Sequence, residues 1–161
     1  MDGITIEVAR TATDEVRDLI DELDRALAGE YLPEQQHGLP LDAIFQPHIR
    51  FFIARLDGVA TGCGGVALFA TFGEVKRMYV RDSARGRGIA QALLSRIELE
   101  TKNSGLDMLR LETGEQQFAA MRLYERAGFR HCDAFGEYAS MAPQAIATSV
   151  FLEKRLTVAT R

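Results

Sequence analysis

The stretch from Glu74 to Gln91, EVKRMYVRDSARGRGIAQ, constrains this chain more than any other. Glu74 to Val80 reads as a strand, a polar break follows, and a glycine-arginine loop leads into a helix whose first apolar positions are Ile89, Ala92 and Leu93. A strand that feeds a helix in this way gathers the unpaired N–H groups of the helix's first turn at one point, where the helix dipole adds positive potential. Such a point binds anions, phosphate most naturally. Gly86 and Gly88 let backbone approach a ligand, and the guanidiniums of Arg85 and Arg87 can fork onto phosphate oxygens.

The charge balance confines this phosphate reading to one place. With 19 basic against 23 acidic residues the net charge is −4, which disfavours nucleic acid as a partner. Length, 161 residues, predicts one domain spanning 1–161. The N-terminus, MDGITIEVAR, has neither a basic start nor an apolar core, and Cys63 and Cys132 lack metal-type spacing, so a reduced, cytoplasmic setting is expected. The longest uncharged run, Gly58 to Gly73, is too short and glycine-rich to span a membrane. His37, His48 and His131 are scattered, and no metal is expected.

Periodicity organises the remainder. Ile4 to Arg10 alternates as a strand, and Val16, Leu19, Ile20, Leu23 and Leu27 repeat at helical spacing behind a Thr13 cap. Glu30 to His48, broken by Pro33, Gly38, Pro40 and Pro47, reads as a long loop with one turn at Leu41 to Phe45. Phe51 to Leu56 and Val59 to Phe69 form a hairpin on Asp57-Gly58, with a bulge or close approach at Gly62, Gly64 and Gly65. Cys63 among these glycines reads as a small buried side chain. Glu74 to Glu112 predicts a strand-helix-strand unit with parallel strands. A helix from Phe118 to Ala127 and strands at Arg130 to Phe135 and Ser149 to Leu156 complete an α/β chain.

Arg85 to Ala90 spells Arg-x-x-Gly-x-Ala, and AMRLYERAGF follows at Ala120 to Phe129. Together these resemble the two signature stretches of the GCN5-related N-acetyltransferase (GNAT) family. LETG at Leu111 to Gly114, FGEY at Phe135 to Tyr138 and SVFLEK at Ser149 to Lys154 resemble one bacterial branch of it. The resemblance implies a mixed, mostly antiparallel sheet of six to seven strands, with two splayed parallel central strands and about four flanking helices. It also implies acetyl-CoA as co-substrate. Met78, Tyr79 and Val80 would pair with the pantetheine arm through their backbone, and Arg85, Gly86, Arg87, Gly88, Ile89 and Ala90 would hold the pyrophosphate. Gln117, where relatives often carry asparagine, would contact CoA.

Two residues carry the chemistry that the resemblance implies. Glu74 matches a general-base glutamate, and simple strand alternation would put it on one face with Lys76 and Met78; the bland alternative is a carboxylate paired with Lys76 or Arg77. Tyr124 matches the tyrosine that protonates or hydrogen-bonds the departing thiolate. The acceptor is expected to be an amine, of a small molecule or a protein, and dimerisation is open. A nucleotide-dependent oxidoreductase fits poorly, because Gly86-x-Gly88-x-x-Gln91 lacks its third glycine. The other class of reading is a GNAT-like acyl-CoA sensor without turnover.

Overall fold

The computed structural model describes residues 3–157. Seven strands form one sheet in the order β1-β2-β3-β4-β5-β7-β6. They are β1 Ile4–Val8, β2 Ile49–Leu56, β3 Val59–Leu68, β4 Gly73–Val80, β5 Met108–Gly114, β6 Arg130–His131 and β7 Ser149–Arg155. Only β4 and β5 run parallel; every other neighbouring pair is antiparallel.

Three α-helices flank the sheet among the described residues: α1 Asp14–Ala28, α2 Ile89–Asn103 and α3 Phe118–Arg126. The Glu30 to His48 stretch forms only short 3-10 turns, at Pro33–Gln35 and Leu41–Phe45. Its prolines remove the donors that a longer helix needs. The strand expected over Arg130 to Phe135 shrinks to two residues. Beyond it the chain leaves the sheet, and Phe135 packs with Tyr138 and Phe151.

The sheet buries apolar side chains on both faces. Along β2, Phe52 and Ala54 face α2 and α3, while Phe51 and Ile53 face α1. On the first side Ile89, Leu93, Leu94 and Ile97 of α2 close the main core over Val66, Leu109 and Leu111. On the second, Val16, Leu19 and Ile20 of α1 pack with Ile44 and Cys63. Helix α1 starts where expected, with Thr13 Oγ1 accepting from the Val16 N–H at 3.3 Å.

The β2–β3 hairpin turns at Asp57 and Gly58, whose φ values of 50° and 87° fit a two-residue turn that matches strand twist. Between β3 and β4 the register slips: Cys63 faces Tyr79 and Gly65 faces Lys76, so Arg77 and Met78 together oppose Gly64. This is a β-bulge, and Arg77 takes the left-handed φ of 55° within it. The bulge reverses the expected alternation. Met78 packs with Val75 and Val80 on the α2 face, opposite the side on which Tyr79 packs beneath α1.

The glycines of β3 permit this crowding. A Cβ on Gly65 would stand 2.6 Å from the Arg50 carbonyl oxygen and 2.9 Å from the Phe51 ring. Neither neighbour can move freely, because β2 is paired on both edges. Gly65→Ala should therefore cost about 1–3 kcal/mol, the range for overpacking a core. Urea unfolding checks this, and an unchanged midpoint would contradict the contact.

Candidate active site

The parallel pair β4–β5 pairs only at Gly73 with Leu109 and Glu74 with Arg110. Beyond that point β4 continues to Val80 and β5 to Gly114 without pairing, so the expected splay opens immediately after Glu74. A cavity occupies the gap and reaches both faces of the sheet. On the α1 side it is lined by Glu74, Lys76, Glu112, His37 and Tyr138; on the other, by Met78, Leu111 and Tyr124.

Each polar group on the α1 side is placed by a particular element. Glu74 opens β4 and is buried, with its Oε2 held by Lys76 Nζ at 2.8 Å and by the Tyr138 hydroxyl at 2.6 Å. Lys76 also donates to the Tyr138 oxygen at 3.1 Å. The turn Gly136–Ser140 delivers Tyr138, whose ring is wedged against Phe135 and Phe151. Burial and then the Glu74 carboxylate push this phenol far above its ordinary range.

Glu112 stands on β5 across the gap. Alternation turns it away from Leu111, which lies in the main core, and toward the α1 side. Its Oε2 accepts from Ser149 Oγ at 2.6 Å. Burial raises this carboxyl above the usual carboxylate range, against the opposing influence of the Ser149 hydrogen bond, His37 and Lys76. His37 Nε2 lies 2.7 Å from the Ala145 carbonyl oxygen; the carbonyl can only accept, so this nitrogen carries a proton.

Opposite them, Tyr124 projects from α3 into the core and meets the cavity, 4% exposed and edge-on to Phe129. Burial alone raises its phenol well above the ordinary value. The hydroxyl therefore keeps its proton through neutral pH and well into the alkaline range, and has it to donate. Gln117 caps the start of α3 and lines the same cavity, with its Nε2 donating to Glu30 at 3.2 Å.

The loop expected to hold phosphate runs from the end of β4 into α2. Gly86 and Gly88 have φ of 78° and 83°, Gly88 caps α2, and no atom lies within 4 Å of where a Cβ would sit. Arg85, Arg87 and the two glycines are exposed, Ala90 is half-buried and Ile89 is core. Arg85 meets Asp82 at 3.2 Å. Tyr79 turns its side chain away from the gap, donating to Glu22 of α1 at 3.1 Å, which leaves only its backbone for a ligand. Cys63 is buried and its thiol is pushed up to about 12, in keeping with a packing role.

Sequence reasoning missed three groups of this site, Glu112, Tyr138 and His37. The first two lie inside the LETG and FGEY stretches, which marked a branch resemblance without assigning a role to any side chain. Among the described residues no group of three or more His, Cys, Asp or Glu side chains could hold a metal, and no helix is long and apolar enough to cross a membrane.

A family model described as Acetyltransferase (GNAT) family matches residues 14–129. An IAA acetyltransferase of Azospirillum brasilense is 42% identical over 158 residues, which are 97% of this chain and 100% of that one. A Klebsiella pneumoniae crystal structure described as an acyl-CoA N-acyltransferase is 32% identical with a TM-score of 0.78, over 98% of this chain and 100% of its own. A GNAT family acetyltransferase from Elizabethkingia anophelis, solved with acetyl-CoA bound, shares the fold at 20% identity and a TM-score of 0.67, over 97% and 100% of the two chains.

The shifted phenols dictate an alkaline response. A phenol whose folded pKa is raised contributes stability that is complete below about pH 10 and is lost as pH climbs toward the folded value. Tyr79, Tyr124 and Tyr138 all shift this way. The chain should weaken steadily above about pH 10, and Tyr124→Phe should flatten that decline. Urea midpoints across alkaline pH read it directly; an identical slope in the variant would deny burial of the Tyr124 phenol.

Proposed function

The chain belongs to the GNAT family and is an acetyltransferase, and from that premise we propose that it passes the acetyl group of acetyl-CoA directly to a primary amine, with both substrates bound at once. The cavity through the β4–β5 gap carries this reading, since it offers carboxylates on one face of the sheet and a protonated phenol on the other. A thioester lying in the gap would meet the amine from one side and release its thiolate toward the other.

On the CoA side the contacts are mostly main chain. The unpaired edge of β4 from Met78 to Val80 offers N–H and C=O groups to the pantetheine amides, and an N–H near Val80 would polarise the thioester carbonyl. The pyrophosphate would sit at Gly86 and Gly88, against the free N–H groups that open α2 at Ile89 and Ala90, with Arg85 and Arg87 reaching around it. Gln117 lies beside the arm.

On the acceptor side the amine enters as an ammonium, because its pKa of about 10 exceeds neutral pH. It must lose a proton before its lone pair can attack. A carboxylate at the cavity takes that proton, with Glu74 the one expected from sequence. The lone pair then forms the N–C bond, the C–S electrons leave on sulfur, and Tyr124 donates to the thiolate. A sensor without turnover is not favoured, since relatives over most of the chain are named for acetyl transfer.

Release of free CoA thiol from acetyl-CoA, measured across primary amines and IAA, tests the proposal; turnover with IAA and no amine would move the acceptor class. Tyr124→Phe should lower turnover by about 10–100-fold, the weight of one acid or hydrogen-bond donor. Acetyl-CoA affinity should hardly change, and equal losses in both would remove Tyr124 from the chemistry. Arg85→Ala and Arg87→Ala should each weaken acetyl-CoA binding by about tenfold, roughly 1.4 kcal/mol. Unchanged calorimetric affinity would place the phosphates elsewhere.

A further inference from the structure

The two carboxylates at the cavity are not equivalent. Glu74 is already engaged: its Oε2 takes both the Lys76 ammonium and the Tyr138 hydroxyl, and its side chain is 6% exposed. Protonating it would break a buried ion pair and strand Lys76. Glu112 has no such partner. Among the described residues no lysine, arginine or histidine nitrogen pairs with it within 4.0 Å, and its one hydrogen bond comes from the neutral Ser149 hydroxyl.

Position favours it as well. Glu112 lies two residues past Arg110, the last β5 residue paired with β4, so it stands where the gap first opens. The groups facing it are Glu74 and Lys76 from β4, His37 from the loop after α1, Tyr138 from the Gly136–Ser140 turn and Ser149 from β7. Of the charges that β4 and β5 bring to the cavity, Lys76 offsets Glu74 and Arg77 is paired with Asp24 of α1, so the Glu112 carboxylate is left for a cation to match. An incoming ammonium supplies that cation.

We propose that Glu112 is the group that receives the acceptor's ammonium and takes its proton, with Glu74 a positioning residue that fixes Lys76 and Tyr138. This rests on the amine-acetylation reading. One ammonium proton passes to a Glu112 oxygen, and the freed lone pair bonds the acetyl carbon. The C–S bond breaks with its electrons on sulfur. Tyr124 gives its proton to the thiolate and regains one from the attacking nitrogen, so an amide and a free thiol leave. Glu112 then returns its proton to water. A carboxyl lifted by burial is better matched to this task than an ordinary one.

Carbon-13 NMR of the full chain labelled at its glutamate carboxyls, with CoA bound and n-butylamine as the ammonium probe, tests the assignment. The resonance that Glu112→Gln removes should titrate above the ordinary carboxylate range and move on adding n-butylamine, whereas the one that Glu74→Gln removes should not move. Ser149→Ala covers a Glu112→Gln variant that fails to fold: loss of its hydrogen bond should raise the same midpoint further. A Glu112 signal titrating in the ordinary range, or a Glu74 signal that alone answers the amine, overturns the proposal.

Kinetics add a second readout on whichever panel amine turns over. Glu112→Gln should lose about 100-fold or more in kcat and the acidic limb of the pH profile, while Glu74→Gln keeps that limb. The reverse pattern overturns the proposal, and a panel without turnover leaves the NMR titration to decide. Failure of acetyl-CoA to raise the melting temperature would count against acetyl transfer itself, separately from Glu112.

Discussion

Every functional group described here depends on a parallel pairing that ends after two residues. Had β4 and β5 stayed hydrogen-bonded along their length, Glu112 and Lys76 would be neighbours on a closed sheet and Tyr124 would be sealed behind it. The departure is held in place by contacts on both strands. On β4 the Arg77 bulge turns a guanidinium into the interior, where it pairs with Asp24 of α1 and lies against Gly38. On β5 the Tyr31 hydroxyl fills the space beside Gly114 and accepts the Gln116 N–H at 2.9 Å. A side chain at either glycine would collide with these anchors, so both positions are fixed by the site rather than by turn chemistry.

Helix α1 is tied to the same strand by charge. Glu22 accepts from Arg81 and Tyr79, and Asp24 from Arg77, so the polar face of α1 lies over the outer half of β4. Such partly exposed pairs are worth little individually, since solvent screens them and the side chains lose freedom. Their importance is geometric. They set where α1 ends, and hence where the Glu30 to His48 loop begins its passage over the cavity.

Much of this was legible in the chain because the relevant signals are local. Asp57-Gly58 specifies its turn, the glycine-arginine loop specifies a helix start, and the repeat from Val16 to Leu27 specifies a helix face. The alternation argument for Glu74, Lys76 and Met78 failed at one residue. A bulge adds one residue to one strand, which moves Met78 to the opposite face, and nothing in Lys76-Arg77-Met78 itself announces a left-handed Arg77. The glycines opposite did announce crowding, but not which strand would yield. Tyr138 escaped notice for another reason: it lies 64 residues from Glu74, as Ser149 lies 37 from Glu112, and only the folded sheet brings such partners together.

The same division explains why the β4–α2 side of the gap has a local sequence signature and the cavity beneath α1 has none. The proposed CoA contacts are main-chain groups and a helix N-terminus, so the sequence need only specify a strand, a glycine loop and a helix. The side chains proposed to meet an acceptor converge from four separate pieces of chain: β4, β5, the loop after α1 and the turn at Gly136–Ser140. Two of these are irregular, and no periodicity governs which of their residues point inward. On the proposed reading specificity therefore resides where local rules are weakest, whereas the contacts beneath, Glu74 with Lys76 and Glu112 with Ser149, govern the proton transfer that any acceptor must undergo.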